Sequence, residues 1–331
     1  VNLTIESYQF YPYHLKLREP FQTALGIICD RDGFIIKIGD RLGLIGYGEA
    51  APLDGLGMES LGMTRECLEN AQRSLVNRQI SSLADIENLL INFEPYPAAR
   101  HGLEQALVDL YAKQQGLTLP QLIIKNFGGA IHIPKVNAVI GAIAPQLAAI
   151  KAQEQIQAGY RCLKIKVGSG DFETDWRRVA AVRSQVGNDI QIRIDANQAW
   201  TEDAAIANLK KLAPLNIEYV EQPVPFDNLA AMARLRRSQP IAIAADESVN
   251  HLVQLQQVIN TQAADIVILK PMVLGGILTA HRAAIIALDA GLDVVITTTL
   301  DGAIACQGAM DLATTLPITR ACGLSTLHLG R

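Results

Sequence analysis

Residues 161–168 read RCLKIKVG and residues 190–197 read IQIRIDAN. Each is a short apolar run that ends on charge, Lys164 and Lys166 in the first and Asp195 in the second. Three more runs have the same form: Glu221 follows IEYV, Asp246 follows IAIAA and Lys270 follows DIVIL. The steps from Lys166 to Asp195, Glu221, Asp246 and Lys270 are 29, 26, 25 and 24 residues. A repeat of about 25 to 30 residues is the length of one strand plus one crossover helix in a parallel barrel. Charges at the carboxyl ends of successive barrel strands converge on one mouth, where such folds do their chemistry.

Working outward, strand-like runs occur at VNAVIG (136–141), LDVVITTT (292–299) and, more weakly, ACGLST (321–326). Helical runs such as PQLAAIKAQEQIQAGY, DFETDWRRVAAVRSQVG and LGGILTAHRAAIIALDAG lie between the strands. Eight strands in alternation predict an α/β fold, a modified (β/α)8 TIM-type barrel over 126–331, of (β/α)7β type. Upstream, TIESYQFYPYHLKL and GFIIKIGDRLGLIGYGEAAP are rich in β-branched and aromatic residues with glycine turns. Residues 59 to about 125 switch to helical spacing, with Gly116 as a stop and Pro120 as a start. Residues 1–125 therefore read as an α+β capping domain, to which the C-terminal tail contributes. No linker of low complexity separates the two, which predicts a packed contact.

Of the 331 residues 49% are hydrophobic, enough for a sizeable core, and the net charge of −4 with a pI near 5.9 points to no nucleic-acid partner. No apolar run is long enough to span a membrane, and the start lacks the pattern of a secretory signal. Five cysteines are scattered without a CxxC pair, the usage of buried, reduced thiols in a cytoplasmic protein. A homo-oligomer is compatible with all of this.

Side chains at i and i+2 share a strand face, so Lys164 and Lys166 point the same way, as do Arg193, Asp195 and Asn197. Asp195, Glu221 and Asp246 supply three carboxylates from three strands. That set suits a hard cation such as Mg²⁺, with Mn²⁺ as a substitute, and there is no His/Cys cluster for zinc. Ion pairing alone would also satisfy these charges. Beside a second ammonium, a metal and partial burial, a lysine loses its proton more readily and can serve as a base. The partner so implied is a small-molecule carboxylate.

These residues resemble the enolase superfamily, and within it the muconate-lactonising subgroup. The family carries KxK on its second barrel strand, metal carboxylates on the third to fifth, and a lysine on the sixth. The chain matches with Lys164-Ile165-Lys166, Asp195 in DAN, Glu221 in EQP, Asp246 in DES and Lys270 in LKP. Three stretches look most like the o-succinylbenzoate synthases: Leu17–Thr23, similar to a mobile loop over the site; Gly48–Leu53 with Gly57 and Glu59, similar to a second capping loop; and Arg193 before the first metal ligand. Dipeptide epimerases and N-acylamino-acid racemases compete. The epimerases show an aspartate pair, DxD, expected after the seventh strand, where this chain reads Thr299-Leu300-Asp301. The synthase resemblance implies dehydration of 2-succinyl-6-hydroxy-2,4-cyclohexadiene-1-carboxylate to o-succinylbenzoate, a step of menaquinone or phylloquinone synthesis. Lys166 would then be acid and base, Lys270 a fixed cation, and Lys164 the tuner of Lys166. The same resemblance makes Arg18, Thr23, Arg193, Asn197, Thr298 and Thr299 the expected substrate contacts or their supports.

Overall fold

The computed structural model describes residues 3–24, 26–53 and 56–325. The first part of the chain forms β1 (Leu3–Thr23), β2 (Gly26–Asp40), β3 (Ile45–Ala50), α1 (Leu61–Leu75), β4 (Gln79–Ile80), α2 (Leu83–Leu89), α3 (Pro97–Gln114) and α4 (Leu119–Phe127). The second part alternates: β5 (Ala138–Ile140), α5 (Pro145–Gln157), β6 (Cys162–Lys166), α6 (Phe172–Val186), β7 (Gln191–Asp195), α7 (Glu202–Leu212), β8 (Ile217–Glu221), α8 (Leu229–Ser238), β9 (Ala242–Ala245), α9 (Leu252–Thr261), β10 (Ile266–Leu269), α10 (Ile277–Asp289), β11 (Asp293–Ile296) and α11 (Ala303–Thr314). The predicted helix stop and start hold: α3 ends two residues before Gly116, and Thr118 closes a capping box with Gln121 around Pro120 at the start of α4.

Two sheets result. One is four-stranded and antiparallel in the order β3-β2-β1-β4, and the other is seven-stranded and parallel in chain order from β5 to β11. The eighth strand, read weakly in the sequence, is reduced to two parallel bridges. Cys322 pairs with Val136 and Gly323 with Thr297, which links the two edges of the parallel sheet and closes the ring. Lys166 pairs with Asp195, and Asp195 with Glu221, so these charges stand side by side across three strands. Between β7 and β8 the register shifts from Ile192–Ile217 to Ile194–Val220. That extra residue breaks the alternation of faces in β8 and accompanies Glu218 bonding to buried Arg193.

The two sheets meet through buried polar contacts. Helices α10 and α11 begin after Gly276 and Gly302, which cap nothing with a side chain. Their free N–H groups are bonded instead from the first sheet and its helix. Glu104 of α3 accepts from Leu278 N at 2.9 Å, and Glu49 of β3 accepts from Gly302 N at 2.6 Å and Ala305 N at 3.0 Å. A Cβ at Gly302 would stand 2.7 Å from the Glu49 carboxylate, and one at Gly276 closer still to Glu104. The glycines leave the space the two acids occupy. Arg100 and Gln105 of α3 add bonds to Gly275 O, Thr279 and Ile304 O. The packed contact predicted from the missing linker is therefore present. Four of the five cysteines are buried and all are free, but Cys29 is exposed, against the expectation of buried thiols. It lies on the first half of β2, at the end of the hairpin that lines the cavity described below. Among the described residues no helix is long and apolar enough to cross a membrane.

Candidate active site

A cavity of about 400 Å³ opens at the carboxyl ends of the parallel strands. Its floor carries Lys164, Lys166, Asp195, Asn197, Asp246 and Lys270, and its wall Thr297, Thr298 and Thr299. The far end of the β1–β2 hairpin covers it with Phe21, Ile27 and Ile28, and the loop after β3 adds Leu53 and Leu56. The hairpin is held near the barrel by Gln22 O, which accepts from Ala142 N at 3.2 Å, and by the Lys151–Glu19 ion pair.

The charges are paired one by one. Lys166 Nζ donates to Asp195 Oδ2 at 2.6 Å and to Asn197 Oδ1 at 2.8 Å. Lys164 Nζ lies 3.0 Å from Glu221 Oε1 and 3.2 Å from Asp195 Oδ2. Lys270 Nζ bonds both oxygens of Asp246, one at 2.6 Å. Burial works against the charged forms of Lys164 and Lys270. Glu221 and Asp195 outweigh it at Lys164, and Asp246 and Glu247 at Lys270, so both amines sit above the ordinary lysine range. Burial also opposes the charge on Asp195, but Lys166 and Lys164 override it and hold that carboxyl well below its usual range. Glu221 goes the other way, pushed up to about 8 by burial and then by the adjacent charge of Asp195.

Among the described residues no three acidic, His or Cys side chains are gathered into a ready-made metal cage. The reason is visible in the pairing, since the lysines draw the carboxylates individually. The donor set nevertheless fits a divalent cation. Burial first, and then the charges of Asp195 and Asp246, push the Glu221 carboxyl up, so the three acids of adjacent strands are crowded against one another. An all-oxygen set of carboxylates from three strands is what Mg²⁺ takes.

Several expected contacts lie elsewhere. Arg193 does not line the cavity. It is wholly buried in the barrel interior two residues below Asp195, stacks 4.5 Å over Tyr219, and bonds Glu218, Asn137 and Ala321 O. Alternation gave the correct face but not the depth along the strand. Arg18 is exposed on β1 outside the cavity lining, and Thr23 closes β1 with its side chain outside the described residues. Glu49 and Glu59 serve helix starts, α11 for the first and Ala98 and Ala99 of α3 for the second. Asp301 is buried, takes a bond from the Thr299 hydroxyl and is absent from the cavity lining. The sequence reading passed over Glu247. It is 2% exposed, accepts from Asn197 Nδ2 at 3.1 Å and is pushed up to about 7 by burial and by Asp246. Its position next to a named acid, on the opposite strand parity, gave no separate signal.

A closed parallel barrel with an antiparallel cap and this charged mouth defines a superfamily. Residues 147–329 match the enolase C-terminal domain-like family, and residues 7–123 match the N-terminal domain of mandelate racemase / muconate lactonizing enzyme. The chain belongs to the enolase superfamily. An N-succinyl-L-Arg/Lys racemase of Bacillus cereus is 32% identical over 94% of this chain and 84% of its own length. A hydrophobic dipeptide epimerase of Enterococcus faecalis is 33% identical with the same two coverages. The crystal structure of a dipeptide epimerase from Enterococcus faecalis V583 complexed with Mg and L-Leu-L-Tyr superposes with a TM-score of 0.89 at 32% identity, covering 96% of this chain and 90% of that one. These relatives overturn the dehydration expected from the capping motifs. The o-succinylbenzoate synthase of Thermobifida fusca is 36% identical, but over only 59% of this chain and 60% of its own. The quinone-pathway and lyase expectations fall with it. The motifs misled because they describe a shared cap and barrel mouth, not the bond that breaks.

Proposed function

We propose that the chain catalyses a 1,1-proton transfer, a racemisation or epimerisation, at the α-carbon of an N-substituted amino-acid carboxylate such as a dipeptide or an N-succinyl amino acid. One observation carries the reading: Lys166 of β6 and Lys270 just after β10 line the same cavity, with carboxylates from the intervening strands between them. Inverting a carbon centre needs a base on each side of it, and two amines from separated strands meet that need. The racemase and epimerase relatives, matched along nearly the whole chain, support the same reaction.

Asp195, Glu221 and Asp246 are the residues that would hold Mg²⁺. When bound, the ion supplies positive charge against the substrate carboxylate as the α-proton leaves. Lys166 removes the proton from one face and Lys270 returns one to the other, with the roles exchanged for the opposite enantiomer. Asp246 is the first of the charges that hold Lys270 above its ordinary range, and a cation that drew it away would let that amine release its proton more readily. Lys164 stays between Asp195 and Glu221 as a fixed charge. The apolar cover of Phe21, Ile27, Ile28, Leu53 and Leu56 favours an apolar substituent on the substrate.

The test is α-hydrogen exchange in D₂O, followed by NMR, with L-Ala-L-Glu, L-Leu-L-Tyr and N-succinyl-L-lysine as probes. Exchange that stops with chelator and returns with Mg²⁺ is expected, and Mn²⁺ serves as the comparison ion. Failure of all three probes to exchange in the Mg²⁺-loaded protein would sink the reading.

A further inference from the structure

The base Lys166 is held by a second acid that touches neither the cavity nor the amine. Asn197 Oδ1 accepts from Lys166 Nζ at 2.8 Å, and the same amide donates through Nδ2 to Glu247 Oε1 at 3.1 Å. Asn197 N also donates to Asp195 Oδ1 at 3.0 Å, which fixes the residue at the strand end. Glu247 is buried, and its Oε2 has no hydrogen-bond partner among the described residues. A buried carboxylate oxygen left without a partner is costly, and such a group calls for an explanation. We infer that Glu247 is a positioning residue for Lys166, acting through the Asn197 amide. This rests on the two-base reading above and adds the element that orients one of the two bases.

The chemistry follows from the number of directions at each atom. An amide can face Lys166 with its oxygen or with its NH₂, and only the oxygen accepts. Glu247, when ionised, is an acceptor only, so it binds the NH₂ end and turns the oxygen toward the lysine. The amine nitrogen has four directions. One is its own carbon, and two are taken by Asp195 and Asn197. The proton to be transferred, or the lone pair that takes it, is left with the remaining one, and Lys166 lines the cavity. Should a metal draw Asp195 away, Asn197 remains, among the described residues, the hydrogen bond that orients the amine. Among the described residues Lys270 has no such tether: it bonds to Asp246, and Glu247 reaches it through charge and not through a hydrogen bond.

The asymmetry makes the inference testable. Each enantiomer presents its α-proton to one lysine, so exchange in D₂O of the separate antipodes reports the two lysines separately. The probe is N-succinyl-lysine, or whichever of the three probes the wild type exchanges fastest, offered as each α-antipode. The antipode served by Lys166 is the one whose exchange Lys166→Ala abolishes. Asn197→Ala is expected to slow that antipode about 10- to 100-fold, the range for removing an outer-shell partner, while changing the other by less than about 3-fold; Glu247→Ala, whose lost charge also acts on Lys270, should slow the Lys166 antipode more than the other. Glu247→Gln, which keeps an acceptor oxygen, should fall between. Equal slowing of both antipodes would mean a general disturbance of the site and would overturn the inference. A second readout is independent of the substrate. Lysine labelling with formaldehyde and borohydride, followed by peptide mass spectrometry, should show Lys166 reacting faster in both Asn197→Ala and Glu247→Ala, with Lys270 unchanged in Asn197→Ala. If the wild type exchanges neither antipode, the racemase reading fails, and unchanged Lys166 labelling would separately overturn the tether.

Discussion

At the scale of single residues, the two lysines are not equivalent partners of the same acids. Lys166 is bonded to Asp195 and Asn197, and Lys270 to Asp246. Lys270→Ala is therefore expected to leave exchange at one antipode while abolishing net inversion, and Lys166→Ala to do the same for the other. The loss of inversion should exceed the ~10²–10⁴-fold of an auxiliary acid or base, read by polarimetry beside the exchange assay. Lys270→Arg keeps the charge but does not readily give up a proton, so it should invert no better than Lys270→Ala. Asp246→Asn should weaken Mg²⁺ binding in calorimetry while leaving the circular dichroism of the fold intact. Wild-type affinity in that variant would remove Asp246 from the metal set. The acids and lysines were legible because strand ends of a parallel barrel converge, so position in the repeat fixes position at the mouth. Arg193 lies below the cavity and does not line it, because alternation states which face a side chain occupies and not how far down the barrel it lies. Glu247 was missed because one sequence carries no mark that separates a second buried acid from its neighbour.

At the scale of elements, α10 and α11 depend on acids that belong to other parts of the chain. Gly302→Ala adds a Cβ 2.7 Å from the Glu49 carboxylate and should lower stability by about 1–3 kcal/mol in urea titrations. An unchanged midpoint would show that Glu49 moves aside without cost. Glu104 supplies a pH dependence. Burial raises its carboxyl from the ordinary 4.5 to about 7, with Arg100 opposing. The folded state thus holds this proton more tightly than the unfolded chain. Its contribution to stability is complete below pH 4.5 and is lost as pH rises through about 7. Glu104→Gln should flatten the fall in Tm between those values, and an unaltered slope would exclude Glu104 as its source. None of these contacts was legible beforehand. Glu49 sits in a stretch that looks like a capping loop, and its true partner is 253 residues away. The helices themselves were legible from apolar spacing and from stop and start residues, as at Gly116 and Pro120.

At the scale of the whole molecule, the ring is closed with few backbone bonds and much charge. Arg320 bonds Glu218 and Asp293 at 2.7 Å each, Glu218 bonds Arg193, and Arg193 bonds Ala321 O. The segment that replaces an eighth strand is thereby tied to β8 and β11. Arg193→Ala leaves Glu218 short of its buried partner and should cost about 3–5 kcal/mol by denaturant unfolding, while Lys16→Ala on the exposed rim should cost little. The last strand read weakly in the sequence because side-chain ion pairs do what a ladder of backbone bonds does elsewhere. The borrowed helix starts have a further consequence for how the molecule is made. Glu49 and Glu104 leave the ribosome long before the amide groups of α10 and α11 that they will meet. Until then both acids stand in water, where their charge is cheap, and they surrender that hydration only when the segment from Ile277 onward arrives. Docking of the first sheet onto the barrel is therefore a late event in biosynthesis. A nascent chain stalled before residue 277 would present a finished cap with two exposed acids and no helix to receive them.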